Sequence, residues 1–255
     1  MDEFKTQIDK GGISCTIIKY LGTAFRVTLP VTIDGLPVSV VGDYAFAGCT
    51  SLTAINIPTK ITTIRSSAFW GCTRLKSITL SADMTIMEDS IFHDCTSLTD
   101  ITLPPGLTVI GDGAFWGCTG LIELNIPHKV TRIGDSAFYD CTGLTVITLP
   151  QSLISIGDYA FDNCTSLAEV TLPNNITSIG DYALSGCTSL TNIVLPDQVT
   201  HIGNYALSGC TQLTAVTFPS NLTNIGNYVF HKCSALNPAI RDSIKSRFGN
   251  RVLSR

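Results

Sequence analysis

The sequence predicts a mainly β solenoid in which about nine similar coils stack on one another. Nine of the ten cysteines recur at a fixed interval of 23 residues, and a leucine follows three residues after each of them. Through residue 218, branched or aromatic residues stand six and eight positions after these cysteines, an alternation typical of a short strand. The recurring cysteines are Cys49, Cys72, Cys95, Cys118, Cys141, Cys164, Cys187, Cys210 and Cys233.

Each coil is predicted to contain a strand, a bend, one short helical turn and a return segment. A proline such as Pro104 ends the strand, because proline lacks the N–H that a strand ladder needs. A second apolar pair follows the bend, for example Val130 and Ile133. The motif Gly-Asp-x-Ala-Phe comes next. Its glycine is expected at positive φ, and its aspartate is expected to cap a helical turn that carries the alanine and phenylalanine inward.

The cysteine column is predicted to be a ladder of buried, unpaired thiols. Neighbouring rungs of a stacked sheet lie about 4.8 Å apart, but their Cβ vectors run parallel and do not converge as a disulfide requires. The sequence contains no Cys-x-x-Cys pair, so a zinc or redox motif is not expected. The sequence therefore predicts neither a metal nor a cofactor.

The aspartates of the repeated motif leave one metal-site alternative open. Stacked carboxylates can hold calcium between coils, although the repeat lacks the additional ligands that such sites need. The favoured interpretation is that each aspartate caps its own turn. This column contains Asp89, Asp112, Asp135, Asp158 and Asp181, followed by Asn204 and Asn227.

Both ends of the solenoid are expected to carry lids, since an open end would expose the core. Residues 1–41 are predicted to form an N-terminal capping hairpin and a degenerate first coil, and residues 42–236 the 23-residue repeats. Residues 237–255 are predicted to form a C-terminal capping helix, with Asn237 as N-cap and Pro238 in its first turn. A membrane-surface or nucleic-acid role for this basic helix is the alternative.

Composition and charge exclude several classes of protein. Hydrophobic residues make up 44% and charged residues 14%, which argues against a disordered chain. The net charge of −4 argues against nucleic-acid binding, which needs a strong basic field. No apolar run is long enough for membrane insertion, and the first residues show no signal peptide.

The outward positions of the predicted strands are the first candidate binding surface. Five and seven residues after each cysteine, side chains are expected to point away from the core. This surface is rich in threonine and carries three acids near its middle: Asp100, Glu123 and Glu169. We expect these acids to contact a protein, a peptide or another basic partner. The alternative is that threonine merely suits a solvated strand.

A column of aromatic residues two positions before each cysteine is the second candidate surface. It includes Trp70, His93, Trp116 and Tyr139 in consecutive coils. We expect Trp70, Trp116 and Tyr139 to be hydrophobic contacts for a partner or for self-association. The residue three positions earlier is often a tyrosine, so the alternative is that rings from both positions cover the same apolar patch.

Two coils depart from the glycine of the repeated motif. Arg65 and Glu88 replace it in consecutive coils. If the glycine has a positive φ, each replacement costs about 1–2 kcal/mol. A stacked Arg65–Glu88 ion pair is expected to offset part of that cost, and replacing both residues with glycine is expected to raise the melting temperature.

The repeat resembles the BspA-like leucine-rich repeats, a 23-residue subtype of bacterial and protozoan surface proteins. The unit from Leu144-Thr-Val-Ile-Thr-Leu-Pro150 through Ile156-Gly-Asp-Tyr-Ala-Phe161 to Cys164 carries the resemblance, which covers about residues 26–236. It implies a right-handed leucine-rich-repeat solenoid with a parallel sheet on its concave face.

The resemblance also implies binding rather than catalysis, commonly adhesion to host matrix proteins or to other cells. We therefore expect a non-catalytic protein- or glycan-binding module, adhesin-like and at the cell surface or secreted. The alternative is a cytoplasmic structural or assembly scaffold. The missing signal peptide and the unpaired cysteines favour that alternative, because exported proteins usually pair their thiols.

Overall fold

The computed structural model describes residues 3–253, which form a mainly β solenoid of about nine coils with one α-helix. The predicted fold class is confirmed, apart from the helical turns discussed below. A typical coil contributes one strand of three residues and one of two residues, joined by turns. Equivalent strands of successive coils run parallel, so the molecule carries two columns of strands along its length.

The N-terminal segment closes one end of the solenoid. Its strands are β1 (Phe4–Ile8), β2 (Cys15–Tyr20), β4 (Thr32–Ile33) and β5 (Leu36–Val41). β1 and β2 form an antiparallel hairpin, and β2 also pairs with β5 in parallel orientation. The Tyr20 ring lies 5.1 Å from the Phe46 ring and 5.4 Å from Phe4, so the hairpin covers the core of the first coil with aromatic surface.

The three-residue strands form the first column. They are β3 (Arg26–Thr28), β6 (Ala54–Asn56), β8 (Ser77–Thr79), β10 (Asp100–Thr102), β12 (Glu123–Asn125), β14 (Val146–Thr148), β16 (Glu169–Thr171), β18 (Asn192–Val194) and β20 (Ala215–Thr217). From β6 onward partners are 23 residues apart, as Asp100 is from Ser77. Hydrogen-bonded pairing is interrupted twice, between β10 and β12 and between β16 and β18.

The two-residue strands form the second column. They are β7 (Thr63–Ile64), β9 (Ile86–Met87), β11 (Val109–Ile110), β13 (Arg132–Ile133), β15 (Ser155–Ile156), β17 (Ser178–Ile179), β19 (His201–Ile202) and β21 (Asn224–Ile225). From β9 to β21 they make one uninterrupted sheet of seven strands. This column is therefore the more regular side of the solenoid.

Stacked phenylalanines run through the core. From Phe46 to Phe161, the ring of each coil lies 5.2–5.7 Å from the ring of the next coil. Leu184 and Leu207 take the same place in two later coils. All of these side chains are buried. Because each ring contacts the rings before and after it, every coil depends on its neighbours for burial of its apolar face.

The cysteine ladder is confirmed as a set of free thiols, and the structure shows why cysteine suits the position. From Cys72 to Cys233, each Sγ donates a hydrogen bond of 3.1–3.3 Å to a backbone carbonyl 26 residues earlier in the chain. Burial raises the pKa of Cys95 and Cys233 to about 12. These thiols are small buried donors that tie each coil to the one before it.

The predicted role of the repeated glycine was wrong. Gly111 does not have positive φ; Gly113, two residues later, does, and serine or tyrosine occupies that position in every other coil. A Cβ on Gly111 would lie 2.6 Å from Asp89 Oδ1 and 2.7 Å from the carbonyl carbon of Glu88. Glycine is needed there because the preceding coil approaches so closely.

The predicted role of the repeated aspartate was also wrong. Asp89 Oδ1 accepts a 2.8 Å hydrogen bond from the backbone N–H of Asp112 in the next coil, and Asp112 Oδ1 accepts one of 3.0 Å from Asp135. The same bond recurs along the column through Asn227. Each carboxylate therefore links two coils instead of capping its own turn. Residues 3–253 contain no group of three or more histidine, cysteine, aspartate or glutamate side chains placed to hold a metal ion.

The segment after the aspartate is a series of turns and not a short helix. Backbone N–H groups alternate between two partners in this segment. Trp116 N donates to Gly113 O in its own coil, whereas Phe115 N donates to Ala137 O in the next coil, at 2.8 Å. A helix would use its N–H groups within the segment, whereas these turns use half of them to bond the coils together.

The two coils in which Arg65 and Glu88 replace the repeated glycine also differ from the prediction. Neither Arg65 nor Glu88 has a positive φ, and no ion pair joins them. Arg65 lies 4.0 Å from Asp43, while Glu88 Oε2 accepts hydrogen bonds from the backbone N–H and the hydroxyl of Ser66. The expected rise in melting temperature on replacing both with glycine therefore loses its physical basis.

The α-helix α1 (Pro238–Phe248) and a short 3₁₀ helix (Asn250–Val252) lie at the other end. Asn237 caps α1 as predicted, since its Oδ1 accepts a 2.9 Å bond from Ile240 N. Arg247 and Arg251 donate to backbone carbonyls of the last coil, so two of the basic side chains hold this segment in place. None of the helices among residues 3–253 is long and apolar enough to cross a membrane.

Candidate functional site

The three predicted acidic residues lie in the first strand column, and all are exposed. Asp100 begins β10, Glu123 begins β12 and Glu169 begins β16. Asp100 and Glu123 belong to neighbouring coils on either side of the first interruption. Glu169 is two coils beyond Glu123, with exposed Val146 between them. The structure therefore brings two of the three acids together and leaves the third apart.

A shallow groove of about 460 Å³ opens at this interruption. We call it the acidic groove. It is lined by Thr99, Asp100, Ile101, Thr102, Leu103, Pro105, Glu123, Leu124, Asn125, Ile126, Pro127 and His128. Ile101 is only partly buried here, although the equivalent Ile78 and Leu124 are buried in the adjacent coils.

Two local features accompany the loss of strand pairing at the acidic groove. Asp100 and Glu123 occupy equivalent positions on neighbouring strands, and like charges in that relation destabilise a sheet. Ile122 also replaces a threonine of the repeat. In adjacent coils the threonine hydroxyl bonds a carbonyl of the preceding coil, as Thr145 does with Ile122 O at 3.0 Å. The groove therefore combines a weakened ladder with two solvated carboxylates.

The predicted aromatic residues lie together in a second surface feature, which we call the aromatic row. It consists of Tyr44, Trp70, His93, Trp116 and Tyr139. Successive ring centroids lie 6.2, 6.0, 5.0 and 4.5 Å apart. The rings contact one another along the solenoid, yet Trp70 remains 45% exposed and Trp116 36%. The ring contacts support the packing interpretation, and the role of Trp70, Trp116 and Tyr139 as partner contacts stays a prediction.

A separate stack continues along the later coils. Tyr159, Tyr182, Tyr205 and Tyr228 have centroids 4.7–4.9 Å apart. These rings come from the positive-φ position of the motif, three residues before the position that supplies the tryptophans. Both tryptophans thus belong to the aromatic row of the earlier coils, and tyrosines alone form the stack of the later coils.

Trp70 has the most distinctive surroundings of the exposed rings. Its Nε1–H donates a 2.9 Å hydrogen bond to Nδ1 of His93, and the Asp94 carboxylate lies 3.2 Å from the same nitrogen. Sequence reasoning placed His93 in the column but did not single out Asp94. Asp94 has positive φ at a position where the other coils have glycine, asparagine or aspartate, except for Lys232 in the last coil, and the prevalence of these three residue types is a signal for left-handed backbone.

The side chains described above are exposed carboxylates, exposed aromatic rings and buried thiols. No buried side-chain nitrogen or oxygen atom in residues 3–253 lacks a hydrogen-bond partner. The ladder thiols donate to carbonyls, and burial holds the pKa of Cys118 well above its ordinary range. Exposed carboxylates and an exposed indole are suited to noncovalent contact.

Comparisons with known proteins identify the repeat. The family described as "BspA type Leucine rich repeat region" matches residues 30–145 and 131–254. No curated protein matches the chain. A leucine-rich repeat protein from Bacteroides ovatus is 30% identical with a TM-score of 0.74, over 93% of this chain and 69% of that one. A leucine-rich repeat protein of T. pallidum is 27% identical with a TM-score of 0.62, over 96% and 92%.

A further solved structure, from Eubacterium ventriosum, shares the fold at 20% identity and a TM-score of 0.54, over the whole of this chain and 82% of that one. The family match spans more than half of the chain, and the two coil columns, the cysteine ladder and the phenylalanine stack have the register that a 23-residue repeat requires. The chain belongs to the BspA-type leucine-rich repeat proteins.

Proposed function

We propose that this protein is a non-catalytic, adhesin-like binding module that recognises a protein or glycan partner. We assign recognition of a protein partner to the acidic groove. The observation that carries the proposal is the groove itself. It lies at one of the two places where strand pairing in the first column is interrupted, and two exposed carboxylates line it.

Charge supports a basic segment as the feature that the groove recognises. Asp100 and Glu123 line it, and no lysine or arginine does. The chain as a whole carries a net charge of −4. Complementary charge raises association rates and selects against acidic partners, and it makes binding sensitive to salt. A partner that presents lysine or arginine in an extended segment fits these conditions.

The family supports a binding role at or outside the cell surface. BspA-like repeats are typical of surface proteins that adhere to host matrix proteins or to other cells. A solenoid offers a long, regular surface on which side chains of successive coils can be varied without change to the scaffold. The acidic groove is one such variation, because its acids and Ile122 depart from the threonine-rich pattern.

The test is binding of the purified chain to an array of extracellular-matrix proteins at low and high salt. The double variant Asp100→Asn/Glu123→Gln removes both charges and keeps side-chain size. Exposed ion pairs contribute about 0.2–1 kcal/mol each, so we expect affinity to fall about 2- to 30-fold.

The matched control is Asp83→Asn/Asp197→Asn, which changes the net charge equally at two exposed sites outside the groove. Binding that depends on salt, is weakened by the groove variant and is retained by the control supports the proposal. Equal loss in both variants would show that only net charge matters. No binding to any matrix protein, together with capture of an intracellular structural protein, would favour a cytoplasmic scaffold.

A further inference from the structure

Trp70 separates two open depressions on the surface. The larger one, about 440 Å³, is lined by Trp70 together with Ala47, Gly48, Gly71, Thr73, Asp94 and Thr96. The smaller one, about 190 Å³, is lined by Trp70 with Tyr44, Ser67, Ser90 and His93. The indole thus borders two depressions and is exposed, unlike the core rings, which are buried between their neighbours.

The indole is also held in place before any ligand arrives. Its Nε1–H is bonded to His93, and the rings of Tyr44 and His93 meet it nearly at right angles, at 76° and 79°. A ring that is fixed in this way loses little conformational freedom on binding. Trp70 is therefore a rigid apolar surface of the kind that dominates recognition sites.

The larger depression has a mostly apolar surface and includes three polar residues in its lining. Gly48 and Gly71 have no side chains, which leaves the space open, and both have positive φ. Thr73, Thr96 and Asp94 complete the lining, and the Thr96 hydroxyl already donates to Thr73 O. The carboxylate accepts hydrogen bonds and the hydroxyls donate and accept them.

A pyranose ring has the complementary chemistry. One of its faces presents C–H groups, which are attracted to the negative face of an aromatic ring, and its edge presents hydroxyls that need hydrogen-bond partners. The volume of the depression falls within the range of small-molecule sites. Among its lining residues Asp94 carries the only charge, so an acidic sugar would meet a carboxylate with no cation to offset it.

We propose that Trp70 and Asp94 form a subsite for a neutral pyranose unit of a glycan, with Trp70 stacking on the sugar ring and Asp94 accepting from its hydroxyls. The subsite narrows the proposed function to a saccharide class, but it is separate from the acidic groove. No residue lines both. Each site can therefore fail without the other.

The two tryptophans of the chain provide a direct readout, because both lie in the aromatic row. In the variant Trp116→Phe, Trp70 is the single indole. We expect a saturable change in its fluorescence on titration with cellobiose or N,N′-diacetylchitobiose. Glucuronate is the charged comparison sugar and is expected to give no saturable change.

Saturation-transfer NMR with the same sugars measures binding without the indole. Trp70→Ala is expected to weaken binding at least about tenfold, which corresponds to roughly 1.4 kcal/mol. Asp94→Asn keeps a residue that tolerates positive φ and removes the charge, so it should reduce the discrimination against glucuronate. The groove variant Asp100→Asn/Glu123→Gln serves as the control and should bind the sugars normally.

Three results would overturn the proposal. The first is sugar binding that Trp70→Ala leaves unchanged in a protein whose circular dichroism is native. The second is equal binding of glucuronate and neutral sugars to the wild type. The third is a fluorescence response to a proline-rich peptide and to none of the sugars, which would assign the indole to a polypeptide partner.

Discussion

Two glycines in one turn distinguish two reasons for glycine in this repeat: close approach of the preceding coil and a backbone with positive φ. Gly111 has ordinary φ but meets the preceding coil, whereas Gly113 has φ of 60°, and the atom nearest to a Cβ at that position would be Ser90 Oγ, at 3.2 Å. Serine already occupies the position of Gly113 in three other coils, at φ of 55–58°. We therefore compare Gly111→Ala with Gly113→Ser.

The expected magnitudes follow from the contacts. The new Cβ at residue 111 would lie 2.6–2.8 Å from three atoms of the preceding coil, two of them backbone, where ordinary contact begins at 3.4 Å. Moving the coils apart costs about 1–3 kcal/mol in strain and weakens the bond from Asp112 N to Asp89 Oδ1, worth about another 1–2 kcal/mol. Gly113→Ser should cost about 1 kcal/mol, from its left-handed backbone alone.

The free energy of unfolding of both variants is measured by urea titration, monitored with far-ultraviolet circular dichroism and with tryptophan fluorescence. Trp116 lies in the same coil, so fluorescence reports local opening as well as global unfolding. The free energy of unfolding is predicted to fall about 1–4 kcal/mol further in Gly111→Ala than in Gly113→Ser. A larger loss for Gly113→Ser would refute the argument from close approach and restore the backbone-conformation explanation.

Two further predictions concern the links between coils. Cys49 is only half-buried, and the neighbouring Cys72 side chain lowers its pKa. At mildly alkaline pH Cys49 should therefore form more thiolate and be alkylated by iodoacetamide before the deeply buried thiols are. Uniform labelling of the native protein, measured by mass spectrometry, would contradict this. Asp135→Ala removes the acceptor for Asp158 N and should cost about 1–2 kcal/mol, whereas Asp135→Asn should cost less than about 0.5 kcal/mol, because Asn204 already makes the equivalent bond through an amide oxygen. Equal losses of stability in Asp135→Ala and Asp135→Asn, measured by thermal unfolding, would show that the charge of Asp135 matters and not its role as a hydrogen-bond acceptor.

Features that repeat in every coil could be predicted from the sequence. A side chain at a fixed interval of 23 residues must return to the same place on each coil, so the cysteine and phenylalanine columns and the strand register follow from counting. The cap at Asn237 was equally accessible, because capping involves residues only three positions apart. These features depend on local chemistry or on the period alone.

Contacts between coils were harder to predict, because the role of a residue in such a contact depends on atoms of the adjacent coil. Considered within one coil, a Gly-Asp pair is typical of a turn and a cap. In the structure the glycine makes room for the aspartate of the preceding coil, and that aspartate accepts from the next backbone. Nothing within a single repeat distinguishes these possibilities.

The candidate sites were partly accessible. Asp100 and Glu123 could be named because they depart from a threonine-rich column, but the loss of pairing between β10 and β12 could not, since strand geometry depends on both coils together. The tryptophans could be named from their column. The bond from Trp70 to His93 and the nearby Asp94 needed side-chain positions, which a spacing of 23 residues does not supply.

Hydrogen–deuterium exchange of the chain, with and without a matrix protein that it binds, tests whether the acidic groove is a binding surface for a protein partner. We predict slower exchange in residues 99–103 and 123–128, which line the groove, and less protection of these segments in the variant Asp100→Asn/Glu123→Gln at the same partner concentration. Partner-dependent protection that falls elsewhere, with those segments unchanged, would contradict it.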